Sequence, residues 1–199
     1  MSKPPSLLRR SLGAFALIAA MTLAVSLATQ ISDQIRNDAF LPEEYFSYFT
    51  IQTSFANLAA LIAVGLFNLQ SAIESAALLA IRHALMAYAV VTGSVYNLLL
   101  RDLPTAPGEF VSDIAFPNEV LHVVIPLYLV TDWVLSPHGA RLPLRAIGLG
   151  LIYPIVWVGF TLIRGDLTGW YPYGFLDPTG PAGWPGVWTR FLGGGHRRQ

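Results

Sequence analysis

Two side chains in this chain of 199 residues carry the chemistry of acyl transfer, and both lie in apolar surroundings. Thr50 offers a hydroxyl, and His122 an imidazole that titrates near neutrality. A hydroxyl beside an imidazole is the minimum for nucleophilic attack on an acyl group, with the imidazole taking the proton. Thr53 and Asn57 follow Thr50 at i+3 and i+7. That spacing aligns them on one helix face, with Gln52 and Ser54 as flanks. Asn118 precedes His122 by one helical turn and shares its face. The same residue types also serve packing, because hydroxyls and Asn join membrane helices and a neutral His can bond a neighbouring helix.

Further polar groups mark the ends of apolar runs. Arg82 and His83 open one run; Asp132 and Trp133 close another. Arg82 can anchor its helix by snorkelling to the interface, or pair with Asp132. Trp170 and Tyr171 begin an aromatic stretch, Gly169-Trp170-Tyr171-Pro172-Tyr173, followed by Phe175-Leu176-Asp177. It reads as an interfacial aromatic belt, or as a lid over a pocket. Soluble-hydrolase, nucleotide and zinc signatures (GxSxG, GxxxxGK[ST], GxGxxG, HExxH) are absent from the sequence. Cysteine is absent too, which excludes disulfides, thiolate metal sites and a Cys nucleophile.

The elements that must position these groups follow from composition. Hydrophobic residues make up 54% of the chain and charged residues 12%, half the charge of a soluble domain at about 25%. Such a chain cannot cover a soluble surface, and the bilayer is its natural solvent. The 12 basic and 12 acidic residues cancel, so no basic face exists for nucleic acid. Arg rather than Lys supplies every basic residue except Lys3, which with abundant Ala, Gly and Pro points to a GC-rich bacterial genome.

Uncharged gaps locate the spans. There are 22 residues between Arg10 and Asp33, 29 between Glu44 and Glu74, 18 between Arg82 and Arg101, and 18 between Arg145 and Arg164. About 20 apolar residues cross the hydrocarbon core as a helix. A fifth segment contains Glu119, His122 and Asp132 around an apolar centre. The expectation is an all-α polytopic bundle with helices over 11–30, 46–69, 77–99, 118–135 and 144–163. The first run also fits a signal peptide by its basic lead, but its length and the spans after it favour an uncleaved helix. The bundle is expected to fill 1–178, with 179–199 a disordered Gly- and Pro-rich basic tail.

Lys3, Arg9, Arg10, Arg82, Arg141 and Arg145 fall on one side of these spans. Asp33, Asp38, Glu43, Glu44, Asp102, Glu109 and Asp113 fall on the other, against Arg36 and Arg101. The positive-inside rule then places the N-terminus in the cytoplasm of a cell bounded by this membrane. Arg190, Arg197 and Arg198 in the tail run against that count. Thr50 and His122 each lie about one turn inside the acidic side, roughly 6–8 Å deep at a rise of ~1.5 Å per residue.

Taken in order, Tyr48-Phe49-Thr50, Arg82, Asn118-x-x-x-His122-x-x-x-Pro126 and Gly169-Trp170-Tyr171-Pro172 resemble the androgen-induced-gene family of six-span membrane proteins. That family includes the androgen-dependent TFPI-regulating protein and bacterial relatives. The resemblance runs from Ser11 to about Pro178. Its animal members hydrolyse fatty acid esters of hydroxy fatty acids with a Thr nucleophile and a His. The resemblance implies that Thr50 and His122 fill those roles, that a lipid ester is the substrate, and that neither metal nor soluble cofactor takes part. It also implies a sixth span, which this sequence lacks. Gln52, Thr53, Asn57, Asn118, Trp170 and Tyr171 are the expected pocket or oxyanion residues, with Arg82 and Asp132 structural. The competing reading is a non-catalytic membrane protein that binds lipid or regulates a partner.

Overall fold

A computed structural model describes residues 5–70, 75–101, 110–136 and 144–179. Among the described residues every regular element is helical. Helix α1 spans Leu7–Arg36, α2 Pro42–Tyr45, α3 Phe49–Gln70, α4 Ala76–Leu100, α5 Phe116–Leu135 and α6 Leu144–Thr168. All but α2 are long and apolar enough to cross a membrane. The chain is an all-α polytopic bundle and a multi-pass membrane protein. The loops holding Asp102, Glu109 and Arg141, and the expected tail from residue 180 onward, lie outside the described residues.

Helices α4 and α5 match expectation to within two residues, and three others differ more at their ends. The Ser6 hydroxyl accepts from the Arg9 N–H and starts α1 ahead of the apolar run. At its other end α1 continues through Gln34 and Arg36. A helix of 30 residues is about 45 Å long at ~1.5 Å per residue, so its last turns reach past a ~30 Å hydrocarbon core. Helix α3 begins at Phe49 rather than Phe46, because Pro42 starts the separate turn α2 and the Tyr45 side chain is buried. The Tyr45 hydroxyl donates to Gln30 Oε1 at 3.2 Å, tying α2 back to α1. Helix α6 runs on to Thr168, and Gly169 then turns the chain with a φ of +74°, a conformation that glycine adopts freely.

Packing follows membrane rules. The most extensive seam joins α1 and α3. Ala16, Ala20, Leu23 and Leu27 of α1 meet Ile51, Leu61 and Val64 of α3, and Val120, Leu121 and Ile125 of α5 complete the cluster. A Cβ built on Gly65 would stand 2.6 Å from Leu17 Cγ and 3.1 Å from the Gly13 carbonyl oxygen. Small residues let the two backbones approach, and close contact replaces the hydrophobic drive that lipid removes. Large apolar residues such as Phe15, Ile18, Met21, Leu127 and Ile155 point outward, whereas Thr50, Thr53, Ser54, Asn57 and Asp132 are buried. That inversion suits lipid outside and hydrogen bonding inside.

The chain divides into two compact units, Met1–Gly150 and Leu151–Gln199. The first contains α1 to α5 and the start of α6, held to α4 by a hydrogen bond from the Tyr88 hydroxyl to the Gly150 carbonyl. The second contains the rest of α6 and the aromatic loop. There Trp157 meets Tyr173 with ring centroids 6.0 Å apart, and Tyr173 stacks on Phe175 at 5.3 Å.

Candidate functional site

The α3 face forms as the spacing predicts. Thr50, Thr53 and Asn57 are buried, at 6%, 3% and 3% exposure, with Ser54 beside them. The Thr53 hydroxyl donates to the Phe49 carbonyl at 2.8 Å and lies 3.2 Å from the Thr50 carbonyl. Its proton is therefore used inside the helix. The Gln52 amide donates to the Phe46 carbonyl at 2.7 Å, fastening the chain that leads into α3. Thr53 therefore has a structural task within α3.

His122 sits in the seam between α4 and α5. Its Nδ1 is 2.9 Å from the Asn118 carbonyl, one turn earlier. A carbonyl only accepts, so Nδ1 carries the proton and Nε2 presents the lone pair of the neutral ring. The ring stacks on Tyr96 of α4, with centroids 4.1 Å apart and planes 19° from parallel. Asn118 donates from its amide to the Tyr96 hydroxyl at 2.6 Å. Asn118, His122 and Tyr96 thus fix one another.

The backbone around this cluster is irregular in both helices. Helix α4 ends in a π turn over Tyr96–Leu100, where the Arg101 N–H reaches back to the Tyr96 carbonyl at 2.8 Å. Helix α5 carries a π turn over Val120–Val124, with the Ile125 N–H on the Val120 carbonyl. Such turns are uncommon and concentrate at functional sites. Pro126 adds to the effect. Having no N–H, it leaves the His122 carbonyl without its usual donor four residues on. Asn97 of α4 supplies that bond, its Nδ2 lying 3.2 Å from the His122 oxygen and 2.7 Å from the Gly93 carbonyl.

Gly93 makes the approach possible. A Cβ there would stand 2.7 Å from the His122 carbonyl oxygen and 3.1 Å from Pro126 Cγ. The i, i+4, i+8 run of Asn118, His122 and Pro126 is thereby explained. The first orients the ring of the second, and the third frees the carbonyl that binds the second to α4. At the rim, Arg101 pairs with Glu119 at 2.9 Å, bonds Asn97 through Nε at 3.0 Å and lies over the Tyr96 ring at 5.2 Å.

Sequence reading missed Tyr96, Asn97 and Arg101. Their usable signal was Tyr-Asn near a span end, with Arg five residues after Tyr96, at the end expected to hold His122.

The remaining residues fall elsewhere. Arg82 and Asp132 form an ion pair at 2.5 Å, with Asp132 only 6% exposed. Beside it the Trp133 indole N–H donates to His83 Nε2 at 3.0 Å. His83 Nδ1 then bears the proton and donates to the Leu79 carbonyl at 2.7 Å. Trp170 and Tyr171 belong to the second unit, where Trp170 lies under the Arg164 guanidinium at 4.5 Å. The bond and stack that hold His122 run to its own helix and to α4, whereas Thr50 is buried on α3. Among the described residues, no three His, Asp or Glu side chains gather as metal ligands would. No known family, curated protein or solved structure matches the chain.

Proposed function

We propose that this protein is a membrane-embedded lipid-ester hydrolase with Thr50 as nucleophile and His122 as base. The observation that carries the reading is the Asn118 carbonyl on His122 Nδ1. It holds the ring in the tautomer whose free Nε2 can take a hydroxyl proton, with Tyr96 behind it. The resemblance to the androgen-induced-gene family supports the same pair.

Thr50 Oγ1 attacks the ester carbonyl while His122 Nε2 takes its proton. The imidazolium returns that proton to the departing alcohol, leaving an acyl-threonine. Water, deprotonated by the same Nε2, then releases the carboxylic acid and restores the hydroxyl. The second amide hydrogen of Asn118, or the Gln52 amide, is the proposed donor to the oxyanion. The step needs Thr50 Oγ1 within hydrogen-bond reach of Nε2, a separation that in many enzymes closes only around substrate.

Turnover of a panel of long-chain esters in detergent micelles tests the reading. Thr50→Ala, His122→Ala and the double variant should each lose activity by about 10²–10⁴-fold, and to a similar extent, because the residues act as one unit. Thr53→Ala should stay near wild type. Full turnover by Thr50→Ala sinks the assignment. A wild type inactive on every ester, and unlabelled by a fluorophosphonate probe, leaves the non-catalytic lipid-binding or regulatory reading.

The orientation we propose has the N-terminus in the cytoplasm of a bacterial cell and the Thr50 end of α3 outside. Because the chain has no cysteine, single Cys at Asp38 or Arg141 can be probed in intact cells. Labelling of Asp38→Cys alone by an impermeant reagent fits; labelling of Arg141→Cys alone reverses the topology.

A further inference from the structure

Arg82, Arg101 and Arg164 sit near the ends of membrane-length helices, and their surroundings differ. Arg82 has the carboxylate of Asp132 and Arg101 that of Glu119. Arg164, in the last turns of α6, has an aromatic face instead. Its guanidinium carbon lies 4.5 Å from the Trp170 ring centroid, and its Nη1 is buried without a hydrogen-bond partner.

The loop after α6 builds the surroundings. Gly169 turns the chain so that Trp170 comes back under Arg164, and Tyr171 lies directly on Gly165, where a Cβ would stand 2.1 Å from Tyr171 Cε1. Thr161, one turn before Arg164, is 3% exposed. A guanidinium stacked by its face keeps its in-plane N–H donors free for an acceptor. A buried charged donor left without one is costly. At the end of a span, the acceptor within reach is an amphiphile's charged oxygen, and the fork of N–H groups matches phosphate or carboxylate in two parallel bonds.

We propose that Arg164, seated on Trp170, binds the singly charged oxyanion of an amphiphile, either a phospholipid phosphodiester or a fatty-acid carboxylate. Desolvation, with the charges of Asp177 and Asp166 behind it, raises the Tyr171 phenol above its ordinary pKa. The neighbourhood is thus not broadly basic, and one guanidinium suits one negative charge rather than two. The proposal uses no residue of α3, α4 or α5 and stands apart from the hydrolase reading.

The test is thermal unfolding of the full chain in a neutral detergent. Dioleoyl phosphatidylglycerol, oleate, dioleoyl phosphatidylcholine and inorganic phosphate are added separately to wild type, Arg164→Gln and Arg164→Lys. Phosphatidylglycerol or oleate should raise the wild-type Tm, the zwitterionic lipid should raise it less, and Arg164→Gln should lose most of the rise. Lysine should keep less than half, since it has charge without the fork. A response to phosphatidylglycerol alone identifies the phosphodiester, and one to oleate alone the carboxylate. Equal rises in wild type and Arg164→Gln overturn the site. If that variant does not fold, phosphatidylglycerol and phosphatidylcholine with brominated chains are compared as quenchers of wild type and Trp170→Phe. Stronger quenching by the anionic lipid, lost in Trp170→Phe, supports the site; equal quenching by both lipids overturns it.

Discussion

The two ends of the α4–α5 seam solve one packing problem in opposite ways. At one end regular helix is held by charge, through Arg82 and Asp132, with the His83–Trp133 bond alongside. At the other, two π turns, Gly93 and Pro126 break the regularity, and neutral groups join the helices through Asn97, Tyr96 and Asn118. The ion pair fixes the helices but leaves no group free to react. The irregular end gives up backbone bonds and gains an oriented imidazole. The first end is built as an anchor, the second as a site.

The largest effect should come from breaking the anchor. Asp132→Ala removes the carboxylate paired with a mostly buried guanidinium and should cost about 3–5 kcal/mol. Thermal unfolding in detergent measures it, and replacing Arg82 and Asp132 together with Leu should recover most of the loss. If Asp132→Ala matches wild type, the pair is not an anchor.

Gly93→Ala should come next. Its methyl would press on the His122 carbonyl, a backbone atom that cannot swing aside, and overpacking of this kind costs about 1–3 kcal/mol. Ester turnover should fall with it as the His122 ring moves. Stability and turnover both at wild-type level would show that the seam is looser than described.

Asn97→Leu should cost about 1 kcal/mol, the usual size of one hydrogen bond. Here a cycle sharpens the contrast. Pro126→Ala restores an N–H four residues after His122, so Asn97→Leu should cost less in that background. Equal costs in both backgrounds would detach Asn97 from the proline. The smallest effect is expected from Trp133→Phe, which removes one donor at the anchor end and should shift stability by about 0.5 kcal/mol.

Uncharged gaps made the five spans legible, because lipid penalises charge more strictly than it rewards any particular apolar residue. The polar face of α3 followed from 3.6-residue spacing. Arg82 and Asp132 lay at matching ends of their spans, so their pairing could be anticipated as one possibility. The π turns could not, since neither Tyr96–Leu100 nor Val120–Val124 differs in composition from ordinary helix. Their register depends on Asn97, Gly93 and Pro126, which meet only once α4 and α5 pack together. For that reason His122 was legible as a candidate while Tyr96, stacked on it, was not. Helix ends were misplaced where local groups, the Ser6 cap, the Pro42 turn and Gly169, rather than apolar runs, decided them.

The Gly13–Gly65 crossing bears on how the chain is made. It joins the first two membrane-length helices in the sequence, and their linker is short and itself tied down by Tyr45 on Gln30. Both partners of this most extensive seam leave the ribosome before α4 does. The pair can lock as soon as the second span enters the bilayer, giving each later helix a finished surface to insert against. Widening this crossing therefore acts on biogenesis first, lowering the yield of inserted protein before it alters the folded molecule.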